Sequence, residues 1–453
     1  MLNETVLFLK ERNELRVAAE LLMTFGKYAR SVEEYDSIAR GYCDIKRYKD
    51  SIKWAEKALS MAAGNEMLYA IRANLAKVCN HANMPDKALF YLKFNESMTP
   101  EDPELLLEKA FSLFLMNRQK ESEAILRALN TRPGLNEQLA TRVKFNLGTY
   151  DLYKDKFQEG LKGFLIEGKK LNIWNNVKLP LEFWKGGVQP GRTIVIVAEG
   201  GIGDEFINVR FCDKLVDYGM IPLWYTTRKD LSGIFNRHGY TTINSLENVP
   251  KGSLWTYSMS LPIFLDLKPE DLWNGPYLFP SVDYKNKWDW MNESSETKVG
   301  IRWSGNPHYE HDLHRSVPLK DMYTTIQSTG KGFHIYSLQK GDGAEEVEEC
   351  GGVVDLSRHL ESFEDTLAVI DNLDIVVSSC TSVLHAAAAM GKRTYGLIPC
   401  TAYYTWCSSN EYKSYWYGDN LTLLRQHELR SWEGPLKELT RCLKETPRHE
   451  LPY

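Results

Sequence analysis

The sequence predicts an all-α array of helical repeats followed by an α/β region with two Rossmann-like lobes. Up to about residue 172, Pro and Gly are scarce and apolar residues recur three and four positions apart, the spacing of amphipathic helices. Beyond that point, short β-branched and aliphatic runs alternate with helical stretches, an order typical of βαβ units with parallel sheets. The texture changes near Leu171, so the first domain boundary is expected there.

The composition is that of an ordinary globular protein. Of 453 residues, 43% are hydrophobic and 25% are charged, which excludes a disordered or fibrous chain and allows two or three domains. The net charge of −5 gives no general attraction to phosphate backbones, although it leaves room for a local basic groove. The chain is therefore long and apolar enough to form several hydrophobic cores, and its net charge does not predict binding to nucleic acid.

Two features bear on the compartment. The eight cysteines include no CxxC pair and no zinc-type spacing, which favours a reducing environment. Charged residues interrupt the short apolar run at the start before a signal-peptide core or a membrane span could form. We expect a cytoplasmic protein that does not insert into a membrane.

Helix pairs recur in the first region at a period of about 36 to 37 residues, close to the roughly 34 of tetratricopeptide repeats. The clearest unit is the last, where Leu147, Gly148, Phe157, Gly160 and Phe164 fall at that repeat's positions. Two earlier stretches and a degenerate third carry similar residues, namely Ile38, Ala39, Tyr42, Tyr48 and Ala58; Leu75, Ala76, Ala88, Leu92 and Pro100; and about Glu104 to Pro133. We expect three to four units; the alternative is a non-repetitive helical bundle.

The second region is long enough for two doubly wound lobes. The predicted domains are residues 1–172 for the repeats, 173–290 for the first lobe and 291–453 for the second. The first region is helical whether it is a repeat array or a non-repetitive bundle. We therefore expect the repeat region to be non-catalytic.

The run TIVIVAEGGIGDEF is a buried strand that ends in a glycine-rich turn before a helix. Gly200, Gly201 and Gly203 let the backbone approach a ligand at the carboxyl end of the strand, where open α/β sheets bind ligands. A dinucleotide fingerprint requires glycine where this chain has Phe206, which disfavours a nicotinamide- or flavin-dependent oxidoreductase. Asp204 is either a catalytic carboxylate or a charge that complements the helix N-terminus.

The run KVGIRWSGNPHYEHDLHRSVPL is a strand followed by a glycine-containing loop. Trp303, Ser304, Gly305 and Asn306 can present hydroxyl, amide and backbone N–H groups to a diphosphate, and Arg315 can pair with it bidentately. The same loop carries three histidines that suggest a metal site, but Pro307 leaves them without an assured common face. We expect no metal at these histidines, which are His308, His311 and His314.

Two further strand ends carry polar residues. FHIYSLQKG leaves Gln339 and Lys340 where a base or a phosphate could be held, the alternative being an exposed loop lysine. LDIVVSSCTSVLHAAAAMGK places Ser379, Thr381 and Ser382 at the start of an Ala-rich helix. They could cap that helix, and its free N–H groups could form an anion site.

The same helix carries a cysteine and a histidine that suggest a thiol nucleophile. Cys380 and His385 are five positions apart, which places them on different faces of a helix, and no third orienting group is evident. A cysteine enzyme is therefore disfavoured.

Together, and in this order after the repeats, these runs resemble the bacterial and phage tetratricopeptide-containing proteins with a heptosyltransferase-like (family 9-like) glycosyltransferase region of GT-B fold. The resemblance covers most of the chain. Its matched segments are GGIGDE (Gly200 to Glu205), WSGNP (Trp303 to Pro307) with Arg315-Ser316, SLQKG (Ser337 to Gly341), SSCTSVLHAAAAMGK (Ser378 to Lys392), YYTW (Tyr403 to Trp406) and SYWYGDNLTLLRQ (Ser414 to Gln426).

The resemblance implies that the second lobe binds a nucleotide sugar. Gln339 and Lys340 would lie near the nucleoside, and the helix start at Thr381 and Arg315 near the diphosphate. The remaining donor-binding residues carried over are Gly201, Gly203, Trp303, Ser304, Gly305, Asn306, Ser379, Ser382 and His385. The family's usual Asp-Thr-Ser reads Cys380-Thr381-Ser382 here, which leaves the identity of the donor open.

The resemblance also implies that Asp204 is a general base across the cleft. It would deprotonate an acceptor hydroxyl, and attack on the anomeric carbon would invert the configuration. GT-B enzymes neutralise the departing diphosphate with helix N-termini and cationic side chains, so no metal and no cofactor beyond the nucleotide sugar is expected. If the source is a phage, the compartment is the host cytoplasm.

Two hypotheses for the function follow. In the first, the chain is a glycosyltransferase whose acceptor is a protein, a glycan or a hydroxylated DNA base. In the second, it is an inactive transferase-like scaffold that binds peptides through its repeats, which could also mediate oligomerisation. The presence of Asp204, Arg315, Lys340 and Thr381 favours the first, because an inactive site has no physical need for all four.

Overall fold

The computed structural model describes residues 2–173, 177–293, 296–307, 309 and 311–446. Helices occupy the first part of the chain, and two parallel sheets with flanking helices follow. By their internal contacts the residues form two compact units, Met1–Val143 and Lys144–Tyr453. No helix in the described ranges is long and apolar enough to cross a bilayer.

The first unit consists of antiparallel helix pairs, in which α3 packs on α4, α5 on α6 and α7 on α8. Within two of these pairs a serine bonds to the partner helix in the same way. The Ser51 hydroxyl donates to the Ala39 carbonyl at 2.7 Å, and the Ser122 hydroxyl donates to the Ala110 carbonyl at 2.6 Å. The helices are α1 (Leu2–Glu11), α2 (Leu15–Tyr28), α3 (Val32–Asp44), α4 (Tyr48–Met61), α5 (Asn65–His81), α6 (Pro85–Glu96), α7 (Pro103–Leu115), α8 (Gln119–Thr131) and α9 (Glu137–Tyr153), which continues into the second unit.

The repeat is clearest in the turns inside the helix pairs. Asn13, Lys46, Asn83, Asn117 and Asp155 all have left-handed backbone conformations, with φ between 57° and 60°. Each lies two residues after one helix and two before the next. Asn and Asp tolerate this conformation better than most residues. The predicted tetratricopeptide-like array is confirmed, but it has five pairs within the described residues, because α1 and α2 form a pair that the sequence pattern missed.

The second helix of the fifth pair is irregular. It begins as α10 (Phe157–Leu161), continues as a π-helical segment (Lys162–Glu167) and ends as α11 (Gly168–Lys170). It crosses α9 at very short range. A Cβ on Gly163 would lie 2.9 Å from the Gly148 Cα, and one on Gly160 would lie 2.8 Å from the Leu152 nitrogen. Only glycine fits at such a crossing.

The first lobe contains a five-stranded parallel sheet in the order β1-β5-β2-β3-β4. The central strand β2 is almost wholly buried, as its aliphatic sequence predicts. The strands are β1 (Glu182–Phe183), β2 (Thr193–Val197), β3 (Ile221–Tyr225), β4 (Thr242–Ile243) and β5 (Leu254–Tyr257), and the α-helices are α12 (Ile202–Val209), α13 (Phe211–Asp217), α14 (Lys229–Arg237) and α15 (Leu261–Phe264).

The second lobe contains a six-stranded parallel sheet in the order β11-β10-β9-β6-β7-β8. This is the strand order of a Rossmann fold, with its switch point between β6 and β9. The strands are β6 (Lys298–Arg302), β7 (His334–Ser337), β8 (Val353–Val354), β9 (Ile375–Ser379), β10 (Arg393–Ile398) and β11 (Leu421–Arg425). The α-helices are α16 (Val282–Lys287), α17 (Asp312–Arg315), α18 (Leu319–Gln327), α19 (Phe363–Asn372), α20 (Ser382–Ala389) and α21 (Glu433–Glu445).

One apolar core runs through the fifth helix pair and both lobes. Leu152, Phe157, Leu161 and Leu165 belong to the same buried cluster as residues of both sheets and their helices. The two Rossmann-like lobes form the GT-B architecture that the sequence predicted. The boundaries placed at 172/173 and 290/291 stay predictions, but the packing groups residues 144–170 with the lobes.

Candidate active site

A cavity of about 660 Å³ lies where loops at the carboxyl ends of both sheets meet. The first lobe contributes the glycine turn after β2 and the loop after β3. The second lobe contributes the loops after β6, β7, β9 and β10, on both sides of its switch point. The cavity wall includes ten of the fourteen residues predicted to be catalytic or donor-binding, which are Gly201, Gly203, Asp204, Gly305, Asn306, Arg315, Lys340, Thr381, Ser382 and His385.

The other four of these residues do not line the cavity, and they are Trp303, Ser304, Gln339 and Ser379. Trp303 and Ser379 are fully buried. Gln339 is also buried, and its amide is occupied by the loops around it. Its oxygen accepts from the Ser304 backbone N–H at 3.2 Å, and its nitrogen donates to the Ser304 hydroxyl and the Asp342 carbonyl, both at 2.7 Å. Gln339 thus joins two cavity loops from behind, where a ligand in the cavity would not reach its amide.

Asp204 is the carboxylate of the first lobe's wall. Its Oδ2 accepts from the Gly201 backbone N–H at 2.7 Å, so it closes the first turn of α12, as the helix-terminus interpretation predicted. Burial raises the pKa of Asp204 to about 6, although the Gly201 N–H, a hydrogen bond from Tyr403 and the nearby Arg228 all favour the charged form. A half-buried carboxylate with this pKa is ionised at neutral pH and still able to accept a proton.

The glycine turn is held rigidly around that carboxylate. Gly200 has φ 72°, and a Cβ there would overlap the Asp204 carboxylate. Arg228 donates to the Gly200 carbonyl at 3.0 Å and forms an ion pair with Glu205. Glu205 is fully buried and also accepts from Trp224 Nε1 at 2.9 Å. This ion pair between a partly exposed arginine and a buried glutamate supports the turn.

Two arginines of the second lobe face the cavity. Arg315 forms an ion pair with Asp312 at 2.7 Å and donates to the Cys380 carbonyl at 3.2 Å. Arg302, the last residue of β6, donates to the carbonyls of Ser304 and Leu338, each at 3.1 Å. These partners are neutral, and burial together with the charge of Arg315 lowers the pKa of Arg302 to about 10. An anion in the cavity would relieve that unfavourable environment.

The start of α20 faces the same space. Thr381 precedes the helix, but its hydroxyl bonds to the Ser378 hydroxyl at 3.2 Å and makes no capping bond. The predicted hydroxyl capping is therefore wrong for Thr381, because the side chain turns back toward β9. The backbone N–H groups at the helix start are left without that cap, and they carry the positive end of the helix dipole.

His385 and Cys380 both contact Trp406, each through a different part of its indole. The His385 ring stacks on Trp406 at 4.5 Å, and its Nδ1 lies 3.0 Å from the Tyr417 hydroxyl. Burial lowers the pKa of His385 to about 3, so its ring is neutral. The Cys380 sulfur accepts from Trp406 Nε1 at 3.0 Å.

The histidine loop does not assemble a metal site among the residues that the structure describes, where no group of three or more His, Cys, Asp or Glu side chains is placed to hold an ion. His311 lines the cavity, whereas His314 is buried and its pKa is lowered to about 4 by burial. His308 lies outside the described residues.

Among the cavity residues to which the sequence analysis gave no role are Arg228, Arg302 and Tyr403. Arg302 left a signal, because it is a charged residue at the end of the buried strand run KVGIR, where ligands of α/β sheets bind. Tyr403 belongs to the matched segment YYTW but was given no role. Arg228 follows β3 and left no signal, because its partner Glu205 lies on a different element.

No family model matches the chain, and no curated protein does. Among solved structures, it is similar to a mutant O-GlcNAc transferase of Thermobaculum terrenum (12% identity, 95% of this chain and 90% of that one, TM-score 0.33). It is also similar to a glycosyl transferase of family 9 from Veillonella parvula (9% identity, 58% of this chain and 91% of that one, TM-score 0.38). A third similar structure is the E. coli heptosyltransferase WaaC with ADP (12% identity, 48% of this chain and 95% of that one, TM-score 0.31).

These similarities are too distant to carry an argument about activity. The strand orders and the helix pairs themselves define the class, which is a glycosyltransferase-like GT-B region preceded by tetratricopeptide-like helices.

Proposed function

We propose that the protein is a metal-independent, inverting glycosyltransferase that moves a sugar from a nucleotide-sugar donor to an acceptor hydroxyl. One observation carries the proposal: a carboxylate with a raised pKa on the first lobe shares a cavity with arginines and a helix N-terminus on the second. Sugar transfer requires a base for the acceptor and positive charge for the departing diphosphate.

The second lobe supplies the positive charge. Arg302 and Arg315 can each donate to a diphosphate oxygen, and the N–H groups at the start of α20 add a fixed dipole. Lys340, whose Nζ donates to the Glu361 carbonyl at 2.8 Å, lies at the exposed rim and can turn toward a phosphate or a ribose. These groups stabilise the negative charge that develops as the bond from the anomeric carbon to the diphosphate breaks.

The first lobe supplies the base. Asp204 takes the proton of the acceptor hydroxyl as that oxygen forms its bond to the anomeric carbon, and the diphosphate leaves from the opposite face with the bonding electrons. The configuration is inverted because attack and departure are in line. The acceptor remains open between a protein side chain, a glycan and a hydroxylated DNA base, and the sequence-based alternative of an inactive scaffold predicts no transfer.

The donor site is tested by thermal stabilisation with UDP-, GDP-, ADP-, CMP- and dTDP-sugars, because a ligand that binds only the folded state raises the melting temperature. We expect one nucleotide to give a shift. Arg302→Met should weaken its binding by about tenfold to a hundredfold, the typical loss of a charged hydrogen-bonding group. The matched control is Arg441→Met, since Arg441 pairs with Glu438 and Glu445 on α21.

Turnover is then measured with the identified donor, with and without EDTA. Unchanged turnover in EDTA supports a reaction that needs no metal, and loss of turnover contradicts it. No shift with any nucleotide, or an equal shift in Arg302→Met and wild type, would rule out this donor site. In the first case the scaffold hypothesis becomes the better account.

A further inference from the structure

Tyr403 connects the two lobes at the candidate base. It follows β10 in the second lobe and lines the cavity, and its side chain is hydrogen-bonded to the Asp204 carboxylate of the first lobe. The hydroxyl is the donor in this bond, because burial and the charge of Asp204 raise the pKa of Tyr403 far above its usual value. The orientation of the carboxylate therefore depends on where the ring of Tyr403 lies.

The ring of Tyr403 is held by the fifth helix pair. Phe164, in the π-helical segment, meets it edge-on with ring centroids 5.8 Å apart and stacks on Tyr404 at 5.4 Å. On its other side Phe164 stacks on Phe145 of α9 at 5.1 Å. Phe164 thus packs between α9 of its own helix pair and the segment that carries Tyr403 and Tyr404.

The helix pair is itself fastened to both lobes. Gln158 donates to the carbonyls of Pro262 and Leu267 in the first lobe, at 3.0 and 2.7 Å. Phe157 packs edge-on against Tyr415 of the second lobe, with centroids 5.4 Å apart. Lys169 of α11 forms an ion pair with the buried Glu199, at the entry to the glycine turn. With anchors on both sides, the position of Phe164 is fixed relative to the cavity.

We propose that the fifth helix pair is a working part of the transferase, in which Phe164 holds Tyr403 and Tyr403 holds the carboxylate of Asp204 in its reactive orientation. The two aromatic residues are positioning residues, and the inference rests on the function proposed above. A pair that reads from sequence as the last repeat of a non-catalytic array would then govern the state of the base.

The effect of Tyr403 on Asp204 would be observed as a change in the pKa of the Asp204 carboxyl, to which the surrounding charges also contribute. Arg228 favours its charged form, whereas Glu205 and Glu199 oppose it. From the second lobe, Tyr404 and Cys380 are also close enough to interact with it, and the Tyr403 hydrogen bond favours the carboxylate. Removing that bond raises the pKa of Asp204. A base works only when it is deprotonated, so the fall of kcat/KM at low pH should move to higher pH.

The test compares pH profiles of kcat/KM for full-length variants. We expect Tyr403→Phe to shift the acidic limb to higher pH with the KM for the donor little changed, and Phe164→Leu to shift it less in the same direction. Two matched controls should leave the limb in place. Tyr395→Phe removes the hydroxyl of another buried tyrosine of the same lobe, bonded to Thr446 at 3.1 Å. Phe90→Leu makes the same aromatic substitution on α6, outside the fifth pair, where the ring is exposed.

A second readout needs no turnover. Wild type and each variant are melted at a series of pH values, both with Asp204 and with Asp204→Asn added. The difference between the two melting temperatures, plotted against pH, titrates the Asp204 carboxyl in the protein without substrate. A higher midpoint in Tyr403→Phe and Phe164→Leu supports the inference. A midpoint unchanged in Tyr403→Phe overturns it. If the titration shifts but no variant transfers sugar, the contact stands and the proposed function fails.

Discussion

At the scale of single residues, Asp204 combines a contact that stabilises the fold with the place of the proposed base. One oxygen accepts the Gly201 N–H and completes the first turn of α12. The same group lines the cavity, and burial raises its pKa to about 6. The two roles that the sequence left as alternatives are compatible, because the bond that closes the turn also orients the carboxylate.

The raised pKa of Asp204 has a consequence for stability. A carboxyl whose pKa rises on folding binds protons more tightly in the folded state, so its contribution to stability declines as the pH rises from about 4 to 6. We expect Asp204→Asn to melt above wild type at pH 7 to 8, because its amide oxygen can still accept from Gly201. The advantage should vanish below about pH 4.

The measurement is the melting temperature of both proteins between pH 4 and pH 8. Asp230→Asn serves as the control, since Asp230 is an exposed residue of α14 outside the cavity wall. Suppose that Asp204→Asn melts below wild type at pH 7 and that the difference in melting temperature does not change with pH. This result would show that the charge of Asp204 does not destabilise the folded protein.

Single-residue predictions from the sequence were good for loop positions and poor for orientation. Lys340 and Thr381 do face the cavity, since the end of a strand fixes where the next few residues lie. Gln339 occupies a comparable position but turns inward to Ser304 and Asp342. Whether a side chain points in or out depends on neighbours from other loops, which a linear pattern does not contain.

At the scale of secondary-structure elements, the contact between α12 and α20 sets how closely the two lobes approach at the cavity. Gly203 on α12 faces His385 on α20, and a Cβ on Gly203 would lie 2.5 Å from the His385 ring. His385 cannot easily move aside, because it stacks on Trp406 and contacts the Tyr417 hydroxyl. Gly203 is therefore required by packing between the lobes.

We expect Gly203→Ala to lower the free energy of unfolding by about 1–3 kcal/mol, the usual cost of overpacking a dense core. The matched control is Gly233→Ala on α14, where no atom lies within 4 Å of the added Cβ. That control should be neutral or slightly stabilising, because alanine is the better helix former. Chemical denaturation checks both, and a Gly203→Ala protein as stable as wild type would mean that the contact is loose.

The elements themselves were mostly predictable. Strands β2, β6, β9 and β10 correspond to runs of aliphatic residues, whose burial on both faces is the mark of parallel sheets. The α1–α2 pair was missed because it departs from the last unit at several of the repeat's positions. Val6 stands where that unit has Gly148, and Leu22 stands where it has Phe164. A search for a polar residue flanked by helical patterns would have found Asn13 among its equivalents.

At the scale of the whole molecule, the sequence pattern and the packing place the boundary between the helical region and the lobes at different residues. Helical texture ends near residue 172, yet the apolar core of the lobes includes Leu152, Phe157, Leu161 and Leu165. Each such side chain contributes about 1.5–3 kcal/mol when it is buried. The sequence could not reveal this, because the contact of Phe164 with Tyr403 joins segments far apart in the chain.

We therefore expect a shortened chain that begins at Ile173 to aggregate or to melt without cooperativity. A chain that begins at Asn136, just before α9, should keep a cooperative transition and the stabilisation by nucleotide. Melting curves of the two proteins, compared with the full chain, decide the matter. A cooperative transition of the Ile173 chain at the temperature of the Asn136 chain would show that the helix pair is dispensable for folding.

The shared core also bears on how such a protein can evolve. Repeats in an array usually change in number by duplication or loss of whole units, since each contacts only its neighbours. The fifth pair is not free in this way, because the glycines of its crossing, its lobe anchors and Phe164 must be inherited together with their partners. Related chains should therefore vary in the number of earlier pairs while this one stays in step with the lobes.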